Sequence, residues 1–382
     1  MHNVFDSALR VAYVGSDLTK SASVPKSNNF DLIRLFAATQ VALLHSVNHL
    51  GIGFKLSGVT AALGFFPGVP IFFFVSGFLI SRSFERNPRV SEFATNRILR
   101  IYPALIVCLA VSIFSAAATG YFHTRPVAVR PFIAWLAAQV SVAQFFNPDF
   151  LRSYGVGVLN GSLWTISVEL QFYVLVPCIY LAMRSCLRDR RSSNAILLSL
   201  IIVFMLANRL YIWGAQRHGG SLVFELIGVT FVPWFYMFLV GLLFQRNFER
   251  LHRGIRGKFL LLLIVYCLVC WCTRGWLGWM FGNSLNPALF TILGFLMFAA
   301  AFSNNNLSDR LLKRNDISYG VYIYHMPVTN FLVVMGMGGS TLGISIAIGM
   351  TIALAFASWV LVERPALALK KHPLYQHAPA QS

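Results

Sequence analysis

Ten long apolar segments run through this 382-residue chain, and they restrict its possible folds more than any other feature. A membrane-spanning helix needs about 20 predominantly apolar residues, because the hydrocarbon core of a bilayer is about 30 Å thick. Only 12% of the residues are charged, whereas about a quarter are charged in a typical soluble domain. We therefore predict an all-α fold, a polytopic membrane protein built as a bundle of about ten transmembrane helices. The predicted segments are residues 29–50, 68–84, 101–120, 162–183, 194–213, 222–245, 258–273, 287–303, 317–335 and 341–362.

The basic residues are unevenly distributed, and their distribution predicts the orientation of the chain. The formal net charge is +18, and most arginines and lysines lie in the loops that follow even-numbered segments. Cytoplasmic loops carry the excess of Lys and Arg in membrane proteins, so both termini are predicted to be cytoplasmic. This clustering indicates the lipid bilayer as a partner and argues against nucleic acid. We expect a multi-pass protein of the inner (plasma) membrane.

The chain divides by composition into a membrane domain and two tails. Residues 1–28 are predicted to be a cytoplasmic tail without a cleavable signal peptide, since no apolar core precedes the first segment. Residues 29–365 form the predicted transmembrane domain, and residues 366–382 form a cytoplasmic C-terminal tail. We expect no extracytoplasmic catalytic domain after the last segment. Glu363-Arg364-Pro365 is interpreted as a local ion pair and a helix stop.

The first apolar segment carries ionisable side chains, which within a membrane span usually mark a functional site. Arg34 and His45 are eleven residues apart. This spacing puts both on nearly the same helix face, about 16 Å apart along the axis. The pair suggests a cation near one membrane surface and a titratable base deeper in the other half. A snorkelling arginine and a hydrogen-bonded structural histidine are the alternative.

Two further sets of charged residues are candidates for function. Glu169 lies inside the fourth segment, at a predicted depth similar to that of His45. Arg97 and Arg100 share one helix face at the entrance to the third segment. Their spacing is compatible with phosphate binding and equally with a positively charged anchor at the membrane surface.

Several uncharged or aromatic residues are candidates for the lining of a substrate cavity. Tyr319, Tyr322 and His325 recur every three residues and form a polar stripe. The Ser76-Gly77 pair would permit a close approach of helices. The candidate cavity residues are Ser76, Trp164, Tyr173, Tyr322 and His325.

The loop at residues 121–161 contains a 16-residue apolar stretch, PFIAWLAAQVSVAQFF, which is short for a span. We expect a re-entrant or interfacial helix there. Its aromatic residues could stack on sugar rings, although interface anchoring explains each of them singly; they are Trp135, Phe145, Phe146 and Tyr154. The CxxC pair Cys267 and Cys270 lies in an apolar run, which predicts buried thiols and no metal site.

Five stretches, taken together and in order, resemble the acyltransferase 3 family of integral-membrane acyltransferases. The first is Arg34 followed by ten residues and His45. The others are GVPIFFFVSGFLI at 68–80, NRILRIYPAL at 96–105, GSLWTISVELQFY at 161–173, and ISYGVYIYHMPV at 317–328 with VERP at 362–365.

The resemblance implies an O-acyltransferase that takes an acyl group, expected to be acetyl, from cytoplasmic acyl-CoA. The acceptor would be a hydroxyl of a cell-surface or exported polysaccharide or a lipid-linked sugar, and polysaccharide-assembly machinery is an expected partner. By position, the resemblance implicates His45, Glu169 and Arg34 in catalysis, and Arg97 and Arg100 in binding acetyl-CoA. His45 would act either as general base or as acyl carrier.

Two other classes of protein also place charged residues inside a helix bundle. A secondary transporter of a small polar solute would show internal repeats with broken helices, and no repeat is evident. A scaffold or receptor would have no need of an intramembrane His and Glu. Binding of CoA that depends on Arg97 and Arg100 would argue against both classes.

Overall fold

The computed structural model describes residues 24, 25, 27–183, 189–273, 282–304 and 306–371. Within these ranges all regular structure is helical, and no strand occurs. The first helices are α1 (Phe30–His49), α2 (Ser57–Gly64), α3 (Gly68–Arg86), α4 (Val90–Ala118), α5 (Tyr121–Thr124), α6 (Val129–Gln139) and α7 (Trp164–Ala182). They are followed by α8 (Arg190–Arg217), α9 (Leu222–Gly228), α10 (Phe235–Arg246), α11 (Phe248–Ile255) and α12 (Phe259–Thr273). The last are α13 (Pro287–Phe302), α14 (Leu307–Leu312), α15 (Ser318–Val334), α16 (Thr341–Ser358) and α17 (Arg364–Ala368).

Each predicted apolar segment coincides with a helix or with a pair of helices, but the predicted number of spans is not confirmed. Among the described residues, six helical stretches are long and apolar enough to cross a membrane. The number rises to seven if α11 and α12 form one broken span. The apolar helices α10 and α13 are shorter. The chain is therefore an all-helical, polytopic membrane protein.

Three predicted boundaries differ from the structure. The sixth segment is two helices, α9 and α10, because Pro233 in the break has no N–H to continue a helical ladder. The helix that contains the third predicted segment, α4, begins at Val90, so Arg97 and Arg100 lie within it and not before it. Helical structure also continues past Pro365, since a π-helical turn, Trp359–Glu363, precedes α17.

The predicted interfacial stretch forms a shorter helix than expected. Its helical part is α6, which ends at Gln139. Trp135 and Tyr154 are each only 1% exposed, whereas Phe146 is 42% exposed. The expectation that Trp135 and Tyr154 could stack on sugar rings is therefore wrong, because their rings are buried in the protein.

The described residues divide into two compact units. The first comprises residues up to Ala37, Gly64–Val90 and Val168–Arg314. The second comprises Ala38–Leu63, Ser91–Ser167 and the residues from Asn315 onward. The beginning of α1 thus belongs to the first unit and the remainder to the second.

In the first unit, the backbones of α3 and α10 approach each other closely at two glycines. A Cβ added at Gly77 would collide with the carbonyl of Phe238, and one at Gly241 would collide with the carbonyl of Phe74. The close approach predicted at Ser76-Gly77 is thereby confirmed. Lipid tails are as apolar as leucine, so association of such helices relies on close packing of small residues.

In the second unit, the end of α1 packs against α15 and α16. The buried cluster includes Val47, Leu50, Val328, Leu332 and Ile344. This packing holds one face of α1 against α15 and positions the polar residues that the two helices present to each other.

Candidate active site

Two histidines from distant parts of the sequence meet in the second unit. Nδ1 of His45 on α1 lies 3.0 Å from Nε2 of His325 on α15. His325 is fully buried, and His45 is half-buried. The sequence identified both residues as candidates, but it assigned His325 to a cavity wall and did not foresee that the two rings would be hydrogen-bonded.

The hydrogen bonds of His325 determine which nitrogen of His45 is available. Nδ1 of His325 lies 2.6 Å from the carbonyl oxygen of Tyr322. A carbonyl oxygen only accepts, so Nδ1 of His325 carries the proton and, in the neutral ring, Nε2 is an acceptor. His45 must then donate from Nδ1 to Nε2 of His325. The lone pair of His45 consequently lies on Nε2, where a neutral imidazole acts as a base.

A second polar bridge fixes the register of α1 against α15. Ser46 Oγ and Thr329 Oγ1 are 3.0 Å apart. Ser46 follows His45 directly, and Thr329 lies one helical turn beyond His325. Because both bridges join the same two helices, the position of the His45 ring is determined by two contacts.

A loop amide compensates for the proline within α15. Pro327 has no N–H and leaves the carbonyl of Ile323 without its usual helical partner. Nδ2 of Asn160 donates to this carbonyl at 2.8 Å, and the Cys108 thiol donates to it at 3.2 Å. The helix therefore continues past His325 without an unpaired carbonyl at this point.

Asn330 attaches the same loop to α15 on the other side of Pro327. Its Nδ2 donates to the carbonyls of Val158 and Leu159 at 2.7 Å and 3.0 Å. Its Oδ1 accepts from the backbone N–H of Val156 at 3.0 Å. Sequence reasoning missed both Asn160 and Asn330. An uncharged amide in an apolar helix was the signal available for Asn330.

The Tyr322 hydroxyl is buried and already hydrogen-bonded. It lies 2.6 Å from Thr165 Oγ1 and 3.1 Å from the carbonyl oxygen of Ser162. Tyr322 is 5% exposed. These contacts favour a role in positioning α15 over the predicted role in lining a substrate cavity.

Glu169 is surrounded by two of the other predicted residues, in the first unit. Ser76 Oγ donates to its Oε1 at 3.0 Å, and the Tyr173 hydroxyl donates to the same oxygen at 2.6 Å. Tyr173 lies one turn after Glu169 on α7, and Ser76 lies on α3. The structure thus joins three residues that the sequence had assigned separately to catalysis and to the cavity.

The remaining predicted residues occupy different elements. Arg34 lies half-buried on α1, in the part of that helix that belongs to the first unit. Trp164 is half-buried at the first position of α7, in the second unit. The roles given to Arg34 and Trp164 stay predictions.

A cluster of charged side chains lies near the start of α15. Arg100 forms an ion pair with Asp316 and lies 3.8 Å from the carboxylate of Glu363. Glu363 is 2% exposed, and its carboxylate faces Arg100 on the distant helix α4 instead of ending the tenth segment as a local ion pair. Arg97, one turn earlier on α4, lies over the ring of Phe93 at 5.7 Å from its centroid. Arg100 thus shares its charge with two acids, which weakens the case for it as a phosphate ligand.

Lys370 belongs to the same cluster, although the sequence assigned it to a cytoplasmic tail. Burial, together with repulsion from Arg97 and Arg100, lowers the pKa of the Lys370 ammonium to about 8. Like charges held together in this way favour the binding of an anion, which relieves their repulsion. Sequence reasoning missed Lys370 because a lysine after the last span is ordinarily a topological signal.

Helix α15 links the charged cluster to the pair of histidines within the second unit. Ser318, whose backbone N–H donates to Asp316 at 3.2 Å, begins α15. His325 follows seven residues later, about 10 Å along the axis. An elongated substrate with an anionic end could contact both places.

Comparisons with known proteins indicate the class of protein to which the chain belongs. The model of a family described as an acyltransferase domain matches residues 27–362. Nodulation protein 10 of Rhizobium leguminosarum bv. viciae is 33% identical over 356 residues, which are 90% of this chain and 94% of the relative. The O-acetyl transferase of Shigella phage Sf6 is 24% identical over 352 residues, 89% of this chain and 96% of the relative. Peptidoglycan O-acetyltransferase OatA of Listeria monocytogenes is 23% identical over 299 residues, 70% of this chain and 45% of the relative.

No solved structure matches the chain. The helical fold and its apolar segments define a membrane protein with ionisable groups among its helices. The chain belongs to the acyltransferase 3 family. It is accordingly an enzyme, an O-acetyltransferase.

Proposed function

We propose that this enzyme transfers an acetyl group from cytoplasmic acetyl-CoA to a hydroxyl of a cell-surface or exported polysaccharide or a lipid-linked sugar. The observation that carries the proposal is the His45–His325 hydrogen bond, which leaves Nε2 of His45 with its lone pair. A half-buried imidazole in this state suits the removal of a proton from an alcohol. The proposal places the enzyme in the inner membrane, with the donor site on the cytoplasmic side.

The phosphates of CoA are proposed to bind at Arg97 and Lys370. Guanidinium and ammonium groups bind phosphate through charge-assisted hydrogen bonds. Arg100 would hold the start of α15 through Asp316 and would contribute charge rather than direct contacts. The thioester arm would extend along α15 towards His45.

The chemical step needs one base and no further reactant. The acceptor hydroxyl gives its proton to Nε2 of His45 while its oxygen attacks the thioester carbonyl carbon. The tetrahedral intermediate then breaks its C–S bond, and the thiolate of CoA takes the proton from His45. The products are an ester and CoA with a free thiol. During the step Nδ1 of His45 keeps its proton and its hydrogen bond to Nε2 of His325, so the ring does not change orientation.

Glu169 is proposed to act near the acceptor as a fixed negative charge. It is held by the hydroxyls of Ser76 and Tyr173. A carboxylate oriented by two donors suits recognition of a sugar hydroxyl. The names of the relatives support a glycan acceptor, since one of them is a peptidoglycan O-acetyltransferase.

The proposal is tested by acetyl transfer from labelled acetyl-CoA in membranes that contain the full chain. His45→Ala should lower the rate by about 10²–10⁴-fold, as expected for loss of a general base. His123→Ala is the matched control, because His123 is exposed on α5 and lies outside the proposed site. A well-accumulated His45→Ala protein with the rate of His123→Ala would refute the role of His45.

A second measurement separates the two roles that the sequence leaves open for His45. The enzyme is mixed with labelled acetyl-CoA without acceptor and quenched rapidly. A general base leaves no label on the protein, whereas an acyl carrier retains it on His45. We expect no retained label.

A further inference from the structure

The connection between α11 and α12 has features that acyl transfer does not require. The two helices meet at an angle of 87°. Gly257, in the break between them, has a φ of +76°, a left-handed conformation that glycine adopts without strain. Helix α12 is apolar, so the bend suits a chain that passes from the surface of the membrane into its interior.

Helix α11 has one buried apolar side and one exposed cationic side. Its residue Phe248 is 4% exposed and packs on the rings of Phe298 and Phe302 in the first unit. Arg250 and Arg253 are exposed on the opposite side. With its apolar side packed on the protein, α11 presents its arginines outward, where they attract anionic lipid headgroups.

A cavity of about 590 Å³ lies at the bend, within the first unit. One part of its lining is apolar and consists of Phe259, Leu260 and Phe302. The other part is polar and includes His252 and Arg256. Such a lining matches a molecule with an anionic end and a hydrocarbon part.

The surroundings of the cavity select between possible anions. Four cations follow one another along α11 and the bend, against one acid, Glu249; they are Arg250, Arg253, Arg256 and Lys258. Leu260 in the cavity wall is 68% exposed, and Leu261 and Ile264 next to it are each 57% exposed. In a membrane this apolar surface contacts acyl chains, so the cavity opens towards lipid.

We propose that this cavity binds an anionic phospholipid from the adjacent leaflet. Its phosphate contacts Arg256 and His252, and an acyl chain lies against Leu260 and Phe302. The positive loops predict that this leaflet is the cytoplasmic one, where anionic lipids attract basic segments. The site lies in the first unit, whereas the proposed CoA site at Arg97 and Lys370 lies in the second.

The test uses the full-length protein, purified in detergent and titrated with phosphatidylglycerol or phosphatidylcholine. Bound lipid is counted by native mass spectrometry. Wild-type protein should retain phosphatidylglycerol in preference to phosphatidylcholine. Arg256→Gln should weaken phosphatidylglycerol binding about fivefold, the effect of one cation at a lipid surface. Arg256→Lys keeps the charge and should keep most of the affinity.

Arg250→Gln is the matched control, because Arg250 has the same charge on the adjoining helix α11 but does not line the cavity. Its effect should be much smaller than that of Arg256→Gln. Equal effects of the two variants would overturn the proposal in favour of a diffuse charged surface. Equal retention of both lipids would overturn it outright. Displacement of phosphatidylglycerol by inorganic phosphate would replace the lipid site with a site for a soluble anion.

Discussion

Nδ1 of His325 donates its proton in a hydrogen bond to the backbone carbonyl of Tyr322, which can only accept. This one bond sets the tautomer of His325 and, through it, the tautomer of His45. His325 can orient His45 because its Nε2 accepts the hydrogen bond from His45 while its Nδ1 is bonded to the carbonyl of Tyr322. A buried histidine with a full set of hydrogen bonds orients another residue and need not touch the substrate.

We predict that two substitutions of His325 separate orientation from stability. His325→Gln offers a side-chain oxygen to Nδ1 of His45, whereas His325→Phe offers no acceptor. The Phe variant should lose about 100-fold in kcat, since a misoriented base is a poor one. The Gln variant should retain more, and both should keep the KM for acetyl-CoA. Equal loss of kcat in both variants, at equal accumulation, would contradict the role of His325 as a positioning residue.

Lys370 leads to a prediction about pH. Its pKa of about 8 means that it is cationic at pH 7 and largely neutral at pH 9. If it binds a phosphate of CoA, the KM for acetyl-CoA should rise about tenfold over this interval, the worth of one charge-assisted hydrogen bond. Lys370→Arg should remove this rise, because arginine stays protonated.

The control for this prediction is Lys370→Gln, which lacks the charge at every pH. Its KM for acetyl-CoA should be high and constant between pH 7 and pH 9, with kcat at saturation near that of wild type. A KM that rises with pH in the Arg variant as in the wild type would assign the titration to another group.

The contact between helices α3 and α10 leaves no room for an added side-chain atom at two glycines, Gly77 and Gly241. The nearest atoms to an added Cβ at Gly77 and Gly241 belong to backbone, which cannot move aside as a flexible side chain can. Ser76, which donates to Glu169, directly precedes Gly77, so the same contact also affects the candidate site. Packing in this region of the first unit and orientation of Glu169 are therefore linked.

We predict that Gly241→Ala lowers the thermal stability of the purified protein. Overpacking of a tight contact usually costs about 1–3 kcal/mol, and the collision with the carbonyl of Phe74 is with backbone. Gly349→Ala on α16 is the control, since nothing lies within 4 Å of a Cβ added there. The melting temperature should fall for Gly241→Ala alone. An unchanged value in both variants would mean that the two helices separate easily.

For the whole molecule, hydropathy was sufficient to find the helices but not to count the spans. Apolar runs locate α1, α3 and α15 to within a few residues, because a bilayer imposes the same length on every span. The break before α10 has a local signal in Pro233, which cannot donate a backbone hydrogen bond. The π-helical turn before Pro365 was not predicted from the sequence.

The candidate site was predictable residue by residue but not as an arrangement. His45, Glu169 and Arg97 stand out because ionisable residues are expensive in or near a span. The hydrogen bond between His45 and His325 could not be predicted from the sequence, because 280 residues separate them. Lys370 and Asn160 escaped because lysines in tails and amides in loops are common. Their importance follows from the electrostatic repulsion between Lys370 and Arg97 and from the hydrogen bond of Asn160 to the carbonyl of Ile323.

The short stretch from Val156 to Asn160 is attached to α15 on both sides of Pro327. It behaves as part of that helix, although it belongs to a loop by sequence. Anyone exchanging this loop with that of a relative, to test its effect on the choice of acceptor, should make the junction before Gly155. A graft that also replaced residues 156–160 would remove the Asn160 amide that pairs with the carbonyl of Ile323 in α15. Such a graft would lower the activity of the enzyme as well as change its selectivity.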